Sequence, residues 1–268
     1  MMIVAPRSAL YLPASNARAI EKVRGLACDM VILDLEDSVK DEDKPVARAG
    51  AVAAMQAGFP GKITAIRVNA VDSRFHADDL AAVAGAACDL FVLPKVEDAA
   101  DAARVAHQLG RPVYAMIETP LAVRRAYEIA AEPAVVGLIM GNNDLAHVLH
   151  LPDDPARTGL QYAMQVAVMA ARMAGITVLD GVFNKLKDEA GLAAECAQGH
   201  LLGFDGKTLI HPNQIDTANA AFGPDAQAIA EAQALIAAAT GGAERYQDRM
   251  IETMHVESAR RLLARARV

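Results

Sequence analysis

Short apolar runs alternate with longer, Ala-rich amphipathic stretches along most of this chain. Eight such runs stand out, at residues 9–12, 30–35, 63–68, 90–93, 113–117, 135–140, 176–179 and 200–204. Each is only four to six residues long and almost wholly apolar. That is the pattern of a strand buried on both faces, as in a parallel sheet covered by helices. Helical periodicity fills the gaps, for instance at 16–27, 46–57, 99–109 and 160–174. Strand–helix alternation forces right-handed crossovers and a parallel sheet. Eight repeats predict an α/β fold of the (β/α)8 TIM barrel type. An open doubly wound sheet is the alternative; it often carries a Gly-rich phosphate loop, and neither GxGxxG nor GxxxxGK[ST] occurs here.

Beyond the eighth run the alternation stops. Residues 212–221, 225–239 and 252–266 read as helices, with Thr240-Gly-Gly-Ala243 as a flexible break. The expected organisation is a barrel over residues 1–211 and a helical C-terminal extension over 212–268, the latter packing on a neighbouring subunit.

Composition narrows the class. The chain has 268 residues, 53% hydrophobic, which suits one large barrel core. A net charge of −7, no Trp and 4% aromatic residues argue against nucleic acid as a partner. No apolar run approaches the ~20 residues that span a bilayer, and the first residues lack the apolar core of a signal peptide. Three scattered cysteines, with no CxxC pair, fit a reducing cytoplasm and no structural zinc.

The chemistry is concentrated where barrels keep it, at the C-terminal ends of the strands. Glu118 follows the fifth run and Asp144 follows the sixth. Two carboxylates converging in a sheltered mouth must be protonated, paired or metal-bound. Hard oxygen ligands with no His or Cys beside them favour Mg2+, with Glu118 and Asp144 as its ligands. Taken singly, either acid also reads as a helix cap or turn residue. Arg67, at the end of the third run, is the natural carboxylate clamp; its alternative is an ion pair with the Asp34-Leu-Glu-Asp37 acids. Glu36 is the site residue of that acidic group. Lys95 and Asn143 are placed to bind substrate beside Arg67. Lys95 and Lys207 are the Schiff-base candidates, with structural or anion-binding roles as the simpler reading. Asp180 also ends a run, and His211 reads as a helix-entry residue.

Seven stretches in order resemble the citrate lyase β-subunit-like branch of the HpcH/HpaI aldolase family. They are Arg7-Ser-Ala-Leu-Tyr-Leu-Pro13, Asp34-Leu-Glu-Asp-Ser-Val39, Arg67-Val-Asn69, Leu93-Pro-Lys95, Ile117-Glu-Thr119, Gly141-Asn-Asn-Asp-Leu145 and Gly203-Phe-Asp-Gly-Lys-Thr-Leu-Ile-His-Pro212. The resemblance implies a Mg2+-dependent barrel enzyme that cleaves or forms a carbon–carbon bond between a 2-oxo acid and an acyl-CoA. Oxaloacetate, pyruvate or glyoxylate would be the oxo acid, and citryl-CoA, malyl-CoA or citramalyl-CoA the thioester. It also implies that Glu118 and Asp144 bind Mg2+, that Arg67 binds the substrate carboxylate, and that the assembly is a homotrimer or hexamer. The family's C-terminal Asp-Gly-Lys-Met-Ile-Asp motif, whose first Asp reaches a neighbour's site, corresponds to Gln247-Asp-Arg-Met-Ile-Glu252. Asp248 would therefore be the general acid supplied in trans. Two other readings are a CoA-independent aldolase acting on 2-oxo acids and a non-catalytic, metal-binding subunit of a larger lyase.

Overall fold

The computed structural model describes residues 5–266. Eight parallel strands pair in sequence order and the eighth closes on the first. They are β1 (Ser8–Pro13), β2 (Met30–Asp34), β3 (Ile63–Arg67), β4 (Leu90–Leu93), β5 (Val113–Ile117), β6 (Val135–Met140), β7 (Thr177–Asp180) and β8 (Gly206–Leu209). The outer helices are α1 (Ala17–Val23), α2 (Lys44–Ala57), α3 (His76–Val83), α4 (Ala99–Leu109), α5 (Pro120–Arg124), α6 (Ala126–Ala131), α7 (Asn142–Val148), α8 (Gln161–Ala174), α9 (Glu189–Leu202) and α10 (Ile215–Phe222).

Strand parity divides the core in two. Ala9, Tyr11, Met30, Ile32, Ala65, Leu90, Val92, Tyr114, Met116, Ile139 and Leu179 fill the barrel interior. Their neighbours, such as Leu10, Val31, Leu33, Ile66 and Val178, pack outward against the helices. Successive side chains of a strand point to opposite faces, so both faces are apolar and the runs look continuous. Parity also decides which polar residue at a strand end looks into the mouth. Asp34, Arg67 and Glu118 continue the interior rows of Ile32, Ala65 and Met116; Asp180 follows interior Leu179 and turns outward.

The eighth strand corrects the sequence reading. Residues 200–204 are the end of α9 and its turn, and β8 is the following Gly-Lys-Thr-Leu. Gly203 at φ 98 ends α9, which a left-handed glycine does readily. The strand escapes notice because outward-facing Lys207 is polar and is satisfied by ion pairs inside the wall.

The tail is also more than helices. Between α11 (Ala226–Ala238) and α12 (Thr253–Arg265) lies a hairpin of β9 (Glu244–Tyr246) and β10 (Arg249–Ile251). Ala232, Leu235, Ile251 and Ala259 form a small core of their own. Arg265, at the end of α12, bonds the backbone carbonyls of Asp205 and Phe222, fastening the tail beside the N-terminal end of β8. Among the described residues no helix is long and apolar enough to cross a membrane.

Candidate active site

The mouth is organised around Arg67. Asp34 and Arg67 are register partners on β2 and β3, and their side chains form a two-bond pair, Nε–Oδ1 and Nη2–Oδ2 both at 2.7 Å. Nη1 lies 2.8 Å from Glu36 Oε2. The guanidinium stacks 4.7 Å above the Tyr11 ring, a favourable place for a partly desolvated cation. The Nε–Nη2 edge is thus committed to Asp34, and Nη1 pairs with Glu36.

One cation between two buried acids splits their proton affinities. Burial opposes the Asp34 anion, but Arg67, the Ser38 hydroxyl and the Glu36 backbone N–H outweigh it and hold Asp34 below the usual carboxylate range. Glu36 is pushed up to about 8, chiefly by burial, because Arg67's charge is already matched by Asp34. Lys44 braces this corner from behind, donating to the carbonyls of Leu35 (2.8 Å) and Glu36 (3.0 Å) and to Asn69 Oδ1 (3.1 Å).

Glu118, 2% exposed, sits just past β5. The Lys95 backbone N–H donates to its Oε1 at 2.6 Å, from a residue held at φ 51. A non-glycine residue in that region is uncommon. A Cβ on Gly141 would come within 2.3 Å of Glu118 Oε2, so the bare backbone of Gly141 is the other wall of the carboxylate's seat. Burial, then the neighbouring Asp144 charge, raise Glu118 to about 7. The Lys95 side chain is exposed at the rim. Burial works against its ammonium, but Glu36, Asp144, Glu118 and Asp37 outweigh it and raise its pKa.

A cavity of about 280 Å3 opens over this group, lined by Tyr11, Asp34, Arg67, Met116, Asn143 and Asp144 among others. Glu36 and Lys95 line a second cavity of about 340 Å3 next to it. The largest, about 470 Å3, lies beyond Asn143 and Asn184, away from the carboxylates. The smaller space is the one that Arg67 and Asp144 line.

The donor set fits a hard divalent ion. Glu118 and Asp144 are close enough that Asp144's charge, after burial, raises Glu118, and no cysteine or imidazole is among the cavity's lining residues. Among the described residues no group of three or more His, Cys, Asp or Glu converges on a metal position. Two side-chain ligands leave most of an octahedral shell to water and substrate, as Mg2+ prefers.

Arg67, Glu36, Glu118, Asp144, Lys95 and Asn143 thus gather around the mouth. Other candidates lie elsewhere. Asp180 and Lys207, 2.9 Å apart, face the helices with Arg157 and Glu195, so Lys207 is no Schiff-base lysine of this cavity. His211 Nδ1 accepts from the Asn213 N–H at a helix entry. Asp248 lies in the hairpin turn, wholly exposed, with Arg245 of the same hairpin as its ion-pair partner at 3.4 Å. Tyr11, Lys44 and Gly141 escaped the sequence reading. Tyr11 had a signal, its interior parity in β1; Lys44 and Gly141 act through backbone carbonyls and volume, which leave none.

Comparison with known proteins agrees with this geometry. The sequence model of the HpcH/HpaI aldolase/citrate lyase family matches residues 7–212. The chain is 43% identical to a (3S)-malyl-CoA thioesterase of Cereibacter sphaeroides, over 97% of this chain and 94% of that protein. It is 34% identical to the citrate lyase subunit beta of Escherichia coli, covering 97% and 93%. A crystal structure of Mycobacterium tuberculosis CitE with magnesium, acetoacetate and coenzyme A superposes with a TM-score of 0.84 at 31% identity, covering both chains fully.

Proposed function

The chain belongs to the HpcH/HpaI aldolase/citrate lyase family, and from that premise we propose a Mg2+-dependent enzyme that cleaves a 3-hydroxyacyl-CoA of the malyl-CoA type into a 2-oxo acid and an acyl-CoA. The observation that carries the reading is Glu118, raised by burial and then by the Asp144 charge, behind a cavity lined by Asp144 and Arg67. A divalent ion on Glu118 and Asp144 would supply Lewis acidity to the carboxylate and hydroxyl oxygens of the substrate. Arg67 would hold that carboxylate through the second N–H of Nη1 and of Nη2, beside Glu36 and Asp34, and so fix its orientation. Glu36, with a proton affinity near working pH, accepts the 3-hydroxyl proton. The C2–C3 bond breaks, its electron pair passes into the thioester enolate, and C2 takes a proton from Asp248 of a neighbouring chain. For malyl-CoA the products are glyoxylate and acetyl-CoA. The exposed hairpin acid supports supply in trans, within a homotrimer or hexamer.

A second reading is favoured by the 43% identical thioesterase. There, water attacks the thioester carbonyl, CoA thiolate leaves, and malate is released without carbon–carbon cleavage.

One assay separates the two. Purified protein with Mg2+ and malyl-CoA is sampled for 2-oxo acid with phenylhydrazine and for free thiol with a disulfide reagent. Glyoxylate without thiol supports the lyase, and thiol without glyoxylate supports hydrolysis. Turnover of free 2-oxo acid aldols but not of thioesters would point to a CoA-independent aldolase. Inertness toward every substrate, with oxo acid binding intact, would indicate a non-catalytic subunit. Mixing Asp248→Ala and Arg67→Ala chains, with exchange verified, restores partial activity if the acid is supplied in trans.

A further inference from the structure

The turn that carries Asp144 lacks the support such turns ordinarily have. Helix α7 has only seven residues, and its N-cap, Gly141, offers no side-chain cap. A helix this short is not stable on its own, and a missing cap leaves its first N–H groups without side-chain partners. Nor can a cap be added at that position, because Glu118 occupies the space a side chain on Gly141 would need. Seating one carboxylate has removed the usual means of fixing the other.

What replaces it comes from the adjacent strand. Asn142 Nδ2 donates to Asp180 Oδ1 at 3.1 Å. Asn143 and Asn184 exchange amide hydrogen bonds at 3.3 and 2.8 Å. Two consecutive residues of the first turn are therefore tied to the end of β7 and the loop after it. Asp180 is itself immobilised, 0% exposed, by Lys207 Nζ at 2.9 Å, by Arg157 Nη1 at 2.8 Å to both oxygens, and by the Gly181 N–H at 2.8 Å. A Cβ on Gly181 would lie 2.7 Å from Asn142 Nδ2, so the strand end presses directly on that side chain.

We propose that Asp180 and Asn184 are positioning residues for the divalent-ion site: acting through Asn142 and Asn143, they set the direction of Asp144 in place of an N-cap. Neither touches the ion. The four-charge cluster of Asp180, Lys207, Arg157 and Glu195 is the fixed anchor of this arrangement. Asn143, a substrate-contact candidate by position, is here a tether. This inference rests on the metal reading of Glu118 and Asp144, and it predicts metal affinity rather than substrate affinity.

The test is Mn2+ binding to the full-length chain without substrate, by calorimetry and electron paramagnetic resonance, with melting temperature measured in parallel. Asn142→Ala removes one tether while Asp180 Oδ1 keeps Arg157 and the Gly181 N–H, so the fold is preserved. Residues that orient a ligand typically change metal affinity 10- to 100-fold, and a Kd increase in about that range is expected for Asn142→Ala. Asn184→Ala and Asn143→Ala, on the exposed pair, should each raise the Kd several-fold, and the double variant no further than either single. The Mn2+ spectrum should broaden in all of them at an unchanged melting temperature. Unmoved Mn2+ affinity in Asn142→Ala and Asn184→Ala overturns the inference. So does an Asn143→Ala chain whose only change is a higher KM for thioester, which makes Asn143 a direct substrate contact. If the wild-type chain takes up no Mn2+ at all, the metal reading falls and this inference with it.

Discussion

Two knots of buried charge share this barrel and are built differently. At the mouth, Arg67 stands between Asp34 and Glu36, one cation for two acids. Behind β7 and β8, Lys207 and Arg157 meet Asp180 and Glu195, two for two. The balanced group has no unmet demand, and its Asp180 stays ionised, held down by Lys207 and Arg157 against the cost of burial. The unbalanced group leaves Glu36 short of a partner, with a proton affinity near neutrality. Environments that push paired acids apart mark acid–base sites. A matched cluster reads instead as architecture, so disturbing the two should produce different losses, function at the mouth and stability behind it.

The comparison breaks most severely at the metal carboxylates. Replacing Glu118 and Asp144 together with Ala should abolish Mg2+-dependent oxo acid binding in calorimetry and lower turnover by roughly 10^3-fold or more, the scale of losing several kcal/mol of Lewis-acid stabilisation. Melting temperature should hold or rise in the metal-free chain. Tight oxaloacetate binding by the double variant would end the assignment.

Next in size is Lys207→Met. It leaves Asp180 and Glu195 sharing only Arg157, and breaking a buried pair costs about 3–5 kcal/mol. Urea denaturation should show that loss, along with weaker Mn2+ binding through the Asn142 tether. A chain as stable as the parent would show that the cluster is not architectural.

Arg67→Lys comes third. Lys cannot reproduce the planar fork, and a charge-assisted bond is worth about 1.5–3 kcal/mol, or roughly 10- to 150-fold in oxo acid affinity. Unchanged affinity would reduce Arg67 to a structural partner of Asp34.

The smallest effect sharpens the contrast through pH. Glu36 and Glu118, ordinarily near 4.5, stand at about 8 and about 7 in the folded chain. The folded state therefore binds more protons than the unfolded one between those values, and stability falls as pH rises. The loss begins near 4.5 and is complete above about 8. Melting of metal-free protein should drop by a few °C from pH 6 to 8.5; Mg2+ should counter the part due to Glu118, and Glu36→Gln should flatten the slope. A melting curve that climbs over this range contradicts the raised affinities.

The first seven strands were legible because both faces of each are apolar, and short runs between helices admit few architectures. β8 was not, since Lys207 and Thr208 are satisfied by Asp180, Glu195 and Gly181 across the wall, partners that no local pattern announces. For the mouth, periodicity carried Asp34, Arg67 and Glu118 to the strand ends. Counting parity one residue further separates Asp180, next to interior Leu179, from that set. The hairpin around Asp248 escaped because its strands of three residues each are too short to show alternation.

Gly141 has a consequence for how such a chain can change over generations. Its φ of −95° is open to any amino acid, so glycine is there for volume alone, and that volume belongs to Glu118. The two positions are coupled across adjacent strands. A lone Gly141→Ala collides with both the Cβ and the Oε2 of Glu118, each 2.3 Å away, and since every residue but glycine keeps a Cβ, shortening Glu118 to Asp does not clear the gap. Drift at this corner is therefore one-sided: the acid can be exchanged while the glycine stays, and Gly141 should remain fixed even in descendants that abandon the acid.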